Sequence, residues 1–193
     1  MKKLSSVVQL VVPGIALLCS MTADDLAASS QSPYTPIQGR EIKALSQEQI
    51  EGYESGQGMG FALAAELNGY PGPKHVLEFQ SELNLTAAQL QSTERAFAEM
   101  RDAAEDLGRQ IVTQERELDR LFASHALDGE GLASQVMQIA ELQGRLRVAH
   151  LRAHLELMEI LDEDQIARYT ELRGYHGVGH SGHRPAGGHG EDR

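Results

Sequence analysis

The chain contains no tryptophan and a single cysteine, Cys19, so an intrachain disulfide is excluded. Cys19 ends an apolar stretch, residues 7–19, that follows Lys2 and Lys3. This stretch is shorter than the ~20 continuous apolar residues that a membrane-spanning helix needs. A basic start followed by a short apolar run is typical of a secretory signal peptide, which we place at residues 1–28.

Removal of this segment would leave the mature chain without a thiol. Cleavage is expected after Ala23, Ala28 or Ser30, and a periplasmic location follows. A lipoprotein anchor on Cys19 is not expected, because Leu18 stands where such proteins usually carry Gly, Ala or Ser.

Two further absences exclude classes of function. Lys and Arg number 17 against 28 Asp and Glu, a formal net charge of −11. Nucleic-acid binding needs basic patches that displace counterions, so no nucleic-acid partner is predicted, whereas cations or basic partners fit the charge. No nucleophile stands beside a general base in any motif, so the protein is not expected to be an enzyme.

Two short segments, LTAAQ at 85–89 and LDEDQ at 161–165, share a pattern that predicts helix starts. In each, a small oxygen-bearing side chain can accept a hydrogen bond from the first turn, and a glutamine three residues later can reach back to the cap. The segment LSQEQI at 45–50 repeats the pattern more weakly. The predicted structural caps of the two main segments are Thr86, Gln89, Asp162 and Gln165.

Apolar periodicity predicts an all-α fold, a long antiparallel helical hairpin with short flanking helices. The expected elements are a helix from Pro73 to about Leu83, a long helix from Thr86 to about Ser124, a turn at 125–131, a second long helix, and a last helix from Asp162 to near Arg173. The expected domains are the signal peptide 1–28, a flexible lead-in with short helices 29–72, a helical domain 73–175 and a disordered His- and Gly-rich tail 176–193. Because the hairpin carries more apolar surface than two helices can bury, a homodimer is predicted.

The paired motifs LTAAQ and LDEDQ in a secreted, all-helical chain resemble the Spy/CpxP family of periplasmic chaperones, which is marked by two LTxxQ motifs. The resemblance covers about residues 73–173 and implies a bent helical hairpin that dimerises into a cradle. Asp162 departs from the family's threonine, although Asp caps a helix equally well. The segment GMGFALAAELNGYPGPKHVLEF, with LRGY near the end, is similar to the branch of periplasmic heavy-metal sensor and metal-resistance proteins.

The strongest candidate metal ligands in the helical part are His150 and His154, in HLRAH. Two histidines at i and i+4 share one helix face and can chelate one ion. Spacing alone leaves two other interpretations open, a core histidine at 150 and a solvated one at 154. Since a tight site for Zn, Ni or Co needs at least two more ligands, His75 and Glu78 are the internal candidates if their helix packs against the hairpin. The resembling sensors carry a His four residues after the first, where this chain has a phenylalanine.

The tail offers a second candidate site. Its histidines are separated by glycines that let the backbone wrap around an ion, and the segment resembles the tail of the zinc-resistance-associated members of the family. The candidate ligands are His176, His180, His183 and His189. Binding there should weaken below the histidine pKa of ~6.5.

These features predict a periplasmic metal-binding stress or resistance protein with an ATP-independent chaperone activity on unfolded client proteins. The expected cofactor is a divalent metal, Zn or Ni/Co. The alternative is a heavy-metal sensor module that signals to a membrane partner, such as an anti-sigma factor or a sensor kinase.

Overall fold

The computed structural model describes residues 32–175. The predicted signal peptide, Cys19 and the four tail histidines lie outside these residues. The chain divides into two units, one ending at Gly39 and the other beginning at Arg40. The described part of the first unit holds a 3₁₀ turn, Thr35–Ile37, and the second unit holds the α-helices.

The described residues form an all-α structure, which confirms the predicted fold class, and no strand lies among residues 32–175. The helices are α1 (Gln47–Glu54), α2 (Leu63–Glu66), α3 (Pro73–Glu78), α4 (Ala87–Ala123), α5 (Gly129–Ile160) and α6 (Glu163–Leu172). The long helices α4 and α5 pack against each other as the hairpin, and α3 contacts both of them. None of the described helices is long and apolar enough to cross a membrane.

The capping boxes form where the sequence predicts them. The Thr86 side chain accepts a hydrogen bond from the Gln89 backbone N–H, and the Gln89 side chain accepts one from the Thr86 backbone N–H. Asp162 and Gln165 form the same reciprocal pair at the start of α6. The weaker third box, at Ser46, is also complete.

The two main boxes also contact each other, which the sequence pattern did not predict. The side-chain amide of Gln89 donates to Gln165 Oε1 over 2.7 Å, and that of Gln165 donates to Gln89 Oε1 over 3.1 Å. Each amide further donates to a backbone carbonyl, Gln89 to Ile160 and Gln165 to Leu83. The two motifs therefore join the start of α4 to the start of α6.

Two predicted boundaries are wrong. The helix from Pro73 ends at Glu78 rather than near Leu83, because Phe79 leaves helical geometry and Asn84 adopts a φ of 49°, a left-handed conformation that Asn tolerates. The turn predicted at 125–131 ends earlier, because the Asp128 side chain accepts from the Gly131 N–H and starts α5 at Gly129.

The core consists of two clusters along the hairpin. The first joins α1 and the residues before it to the middle of α4 and α5, and it contains Ile42, Leu45, Ile50, Tyr53, Ala104, Leu107, Ile111, Val112, Leu142 and Leu146. Residues 42–53, which the sequence places in a flexible lead-in, thus contribute to the core. A Cβ on Gly108 would lie 1.9 Å from the carbonyl oxygen of Tyr53, so only glycine allows the end of α1 to approach α4 this closely.

The second cluster lies at the other end of the hairpin, where α3 and α6 pack on the start of α4 and the end of α5. It contains Val76, Leu83, Ala96, Leu157, Leu161 and Tyr169. On α5 the stretch between Leu146 of the first cluster and Leu157 of the second carries His150 and His154. The fold therefore places both histidines between two apolar clusters.

Candidate functional site

His150 is a buried histidine whose ring nitrogen Nε2 has no hydrogen-bond partner. Its side chain is 3% exposed, and the Phe61 ring stacks on it with centroids 5.7 Å apart and planes 12° from parallel. Burial is the main cause that lowers the pKa of His150, and electrostatic repulsion from the neighbouring His154 is the second. The imidazole is therefore neutral at neutral pH, the form that binds metal ions.

His154 lies one turn later and is also buried, so the interpretation of this residue as a solvated histidine is wrong. Its Nδ1 lies 2.9 Å from the carbonyl oxygen of Tyr70. A carbonyl oxygen only accepts hydrogen bonds, so Nδ1 carries the proton and Nε2 keeps its lone pair in the neutral ring. Metal-binding histidines are commonly oriented by such a bond from the other ring nitrogen.

A buried carboxylate, Glu66 at the end of α2, lies beside His154. Its Oε2 is 3.9 Å from His154 Nδ1, and its side chain is 10% exposed. Oε2 and His154 Nε2 both lie within 3.3 Å of the position that a Cβ on Gly72 would occupy. A carboxylate oxygen and a ring nitrogen with a free lone pair thus face the same small space.

The other oxygen of Glu66 is held by three donors. Tyr169 Oη donates over 2.7 Å, Arg173 Nε over 2.8 Å and Tyr175 Oη over 3.1 Å. Tyr169 is fully buried, and its hydroxyl also accepts from the Gly72 N–H. Burial raises the pKa of Tyr169, so the hydroxyl stays protonated and continues to donate. These contacts fix Glu66 relative to α6 and to the loop before α3.

Glu66, His150 and His154 line a cleft of about 530 Å³. The polar lining includes Glu66, Lys74, His75, Arg101, His150, His154 and Arg173, and the apolar lining includes Met59, Leu63, Phe97 and Met100. His75 therefore reaches the same cleft as the two α5 histidines, as expected if α3 packs against the hairpin. Its Nδ1 is hydrogen-bonded to Glu78 Oε2 at 2.7 Å, and Glu78 is half exposed.

The cleft contains side chains that can bind a metal ion, but they are not arranged as a complete metal site. Within residues 32–175, no group of three or more His, Cys, Asp or Glu side chains is placed to hold one ion. The donor set nevertheless fits a borderline divalent cation, because neutral imidazoles and a carboxylate are ligands that Zn and Ni accept. A complete site would require a rearrangement of the side chains that line the cleft, or further ligands from outside the described residues. The predicted tail ligands lie in that part of the chain.

Sequence reasoning missed Glu66, Tyr70 and Tyr169. One signal could have identified Glu66, because a single carboxylate interrupts the apolar run FALAAEL directly before a turn. An ionised side chain in such a run is costly unless it is paired. The carbonyl of Tyr70 and the hydroxyl of Tyr169 carried no comparable signal, since their roles depend on contacts between distant segments.

Comparison with known proteins identifies the family of the chain. Residues 58–168, more than half of the chain, match the model of the heavy-metal resistance family. No curated protein and no solved structure matches significantly. The matched region contains Glu66, His75, His150 and His154, together with both glutamine motifs. The chain therefore belongs to the heavy-metal resistance family, the metal-resistance group of the Spy/CpxP-like proteins.

Proposed function

We propose that this protein binds a divalent heavy-metal ion, Zn or Ni/Co, in the cleft between α2, α3 and α5, and that it protects the periplasm against metal stress. The observation that carries the proposal is the unpartnered, buried Nε2 of His150, one helical turn from His154. A buried polar atom without a partner costs free energy in the folded chain. A metal ion would satisfy this nitrogen.

The chemistry of the neighbours favours a cation. Both imidazoles offer lone pairs when neutral, and Glu66 supplies a negative charge that offsets part of the charge of the ion. No thiol is present among residues 32–175, so a borderline ion such as Zn or Ni suits the donors better than a soft one. His75 is the third candidate ligand. The tail histidines, which lie outside the described residues, would form a second, weaker class of site, because the glycines between them raise the entropy cost of closing the chain around an ion.

Isothermal titration calorimetry with Zn or Ni tests this function. Wild-type protein should bind Zn or Ni at two classes of site, and truncation after Tyr175 should remove the weaker class. The double variant His150→Asn with His154→Asn should remove the tighter class, because its remaining ligands cannot chelate alone. His125→Asn is the matched control, since His125 is exposed and its φ of 53° suits Asn. Tight binding that survives in the double variant would refute the cleft site.

A chaperone activity is a second candidate, favoured by exposed apolar side chains in α2 and on either side of it. Met59, Leu63 and Leu67 are 40%, 55% and 52% exposed. Such side chains can cover the apolar surface of an unfolding client without nucleotide. In the presence of EDTA, wild-type protein should suppress aggregation of a thermally unfolding client, and Leu63→Ser with Leu67→Ser should weaken this protection. Full protection by the double variant would exclude these side chains as the client-binding surface.

A further inference from the structure

The two carboxylate oxygens of Glu66 have different surroundings. Oε1 accepts three hydrogen bonds, from Tyr169 over 2.7 Å, from Arg173 over 2.8 Å and from Tyr175 over 3.1 Å. Oε2 accepts none from the described residues, and the ring nitrogen Nδ1 of His154 lies 3.9 Å from it. A buried carboxylate is costly unless its oxygens find partners. The folded chain therefore satisfies one oxygen of this side chain and leaves the other without a donor.

Two of the three donors, Arg173 and Tyr175, belong to the turn that ends α6, and we name them the C-terminal pair. The Tyr175 N–H bonds to the carbonyl of Thr170, and Gly174 has a φ of 72°, which together are typical of a Schellman motif. The turn brings the Tyr175 ring back to Arg173, whose guanidinium carbon lies 5.5 Å from the ring centroid. Arg173 Nη2 also donates to the Tyr175 hydroxyl over 3.1 Å. The segment LRGY, residues 172–175, is therefore folded so that both of its polar side chains bond to one carboxylate oxygen.

The free oxygen of Glu66 shares a space with a nitrogen that can bind a metal ion. Oε2 lies 3.2 Å, and His154 Nε2 3.3 Å, from the point that a Cβ on Gly72 would occupy. The Tyr70 carbonyl accepts from Nδ1 of the same ring, so Nε2 keeps its lone pair. Carboxylates that bind metal ions are usually hydrogen-bonded themselves, which fixes the ligating oxygen. The three donors to Oε1 thus leave Oε2 placed to bind an ion together with His154.

We propose that the C-terminal pair positions Glu66 Oε2 as a metal ligand, and that an ion in the cleft in turn strengthens the attachment of residues 173–175 to Glu66. This inference rests on the proposed metal function. Each donor to Oε1 restricts the rotation of the carboxylate, so the ion binds with a smaller loss of conformational entropy. Coupling between two equilibria is reciprocal, so the factor by which the pair raises metal affinity is also the factor by which the metal stabilises the pair. Because Tyr175 directly precedes the tail, an ion in the cleft would fix the point at which residues 176–193 begin.

Isothermal titration calorimetry of the full chain with Zn tests the positioning role. Tyr175→Phe removes one donor to Oε1 without changing the charge, and the affinity of the tighter class of site should fall by about tenfold. Water can replace the lost hydrogen bond, but it is not attached to the chain and does not restrict the carboxylate in the same way. Tyr34→Phe is the matched control, because Tyr34 belongs to the other unit and is 70% exposed. Its affinity should equal that of wild-type protein.

Glu66→Gln separates the ligand from its anchor. The amide oxygen of glutamine can accept the hydrogen bonds that Oε1 accepts, whereas the amide nitrogen in place of Oε2 carries hydrogens and cannot bind a cation. The helical content should therefore be kept, while the tighter class of site weakens more than in Tyr175→Phe. Wild-type affinity in Glu66→Gln would overturn the inference, because Glu66 would then not be a ligand.

Hydrogen exchange of the full chain tests the coupling. The backbone amides of residues 173–175 should exchange more slowly in Zn than in EDTA, by up to the factor found for the affinity, and this slowing should be smaller in Tyr175→Phe. The double variant His150→Asn with His154→Asn keeps the tail but lacks two cleft ligands, so no slowing is expected there. The amides of residues 125–126, in the turn of the hairpin, are the internal control and should not respond to Zn.

The inference and the proposed function fail in different ways. Tight Zn binding of equal affinity in wild-type protein and Tyr175→Phe would overturn the inference alone. Exchange at residues 173–175 that does not respond to Zn would do the same, as would slowing that persists in the double histidine variant, which would assign it to the tail. Absence of tight binding in wild-type protein would overturn the proposed function, and this inference with it.

Discussion

The hydroxyl of Tyr169 is one of three donors that hold Glu66 Oε1. Tyr169→Phe keeps the buried ring but removes the donor to Glu66 Oε1 and the acceptor of the Gly72 N–H. Because both partners stay buried, the free energy of unfolding should fall by about 2 kcal/mol. Urea denaturation followed by circular dichroism measures this loss.

Tyr175→Phe is the control for this prediction, because it also removes a donor to Glu66 Oε1, from a side chain that is only partly buried. Its effect should be smaller, since water can replace the lost donor. Equal losses in the two variants would mean that the ring position of Tyr169, and not its hydrogen bonds, fixes the carboxylate.

His150 should make stability depend on pH. Its pKa is lowered in the folded protein, mainly by burial, so the unfolded chain binds a proton first as the pH falls below about 6.5. Stability should therefore be highest above this pH and decline in acid until the folded protein is protonated too. His150→Leu should flatten this decline below about pH 6.5, whereas His125→Asn should leave it unchanged. Denaturation at several pH values in EDTA measures both, and identical wild-type and His150→Leu profiles would contradict the prediction.

At the scale of helices, the two glutamine motifs act as one joint between α4 and α6. Gln89→Ala removes a partner of Gln165 and leaves its partly buried amide with fewer hydrogen bonds, and Gln165→Ala does the same to Gln89. The two effects should therefore be non-additive, with a coupling energy of about 1 kcal/mol in a double-mutant cycle.

Gln49, in the capping box of α1, is the matched control because its side chain bonds to Ser46 at the start of its own helix. Gln49→Ala combined with Gln165→Ala should give additive losses. Additivity in the Gln89 and Gln165 cycle as well would mean that each motif only caps its own helix.

At the scale of the whole molecule, the segment before the family match belongs to the folded core. Ile42 is fully buried, and ion pairs from Glu41 to Arg116 and from Lys43 to Asp119 hold its neighbours on α4. These surface pairs add little, so the buried side chain should dominate. Ile42→Ala should lower the free energy of unfolding by about 2 to 5 kcal/mol, with a cavity left in the first core cluster.

Leu63→Ala is the control for this loss, because Leu63 is 55% exposed and a substitution there should change stability by about 0.5 kcal/mol or less. Thermal or urea unfolding measures both variants. A loss at Ile42 no larger than that at Leu63 would show that the segment before α1 is not part of the stable fold.

Local chemistry determined the helix starts and most helix ends. A capping box needs side chains and backbone groups within three residues of each other, so Thr86 with Gln89 and Asp162 with Gln165 could be identified from the sequence. The spacing of His150 and His154 is local in the same way, because residues four apart always share a helix face. The error at Leu83 arose because Phe79 leaves helical geometry and Asn84 adopts a positive φ, and the error at residues 125–131 arose because Asp128 is a cap that went unrecognised.

Only the tertiary structure decided which of these groups meet. The sequence could not show that Gln89 bonds to Gln165, that Glu66 is buried beside His154, or that Tyr169 holds it, because these pairs are separated by 76 or more residues. Whether such residues touch depends on how the apolar faces of whole helices pack, and many arrangements bury similar apolar area. The sequence by itself therefore determined the helices and the candidate ligands, whereas packing decided that histidines from α3 and α5 and a carboxylate from α2 share one cleft.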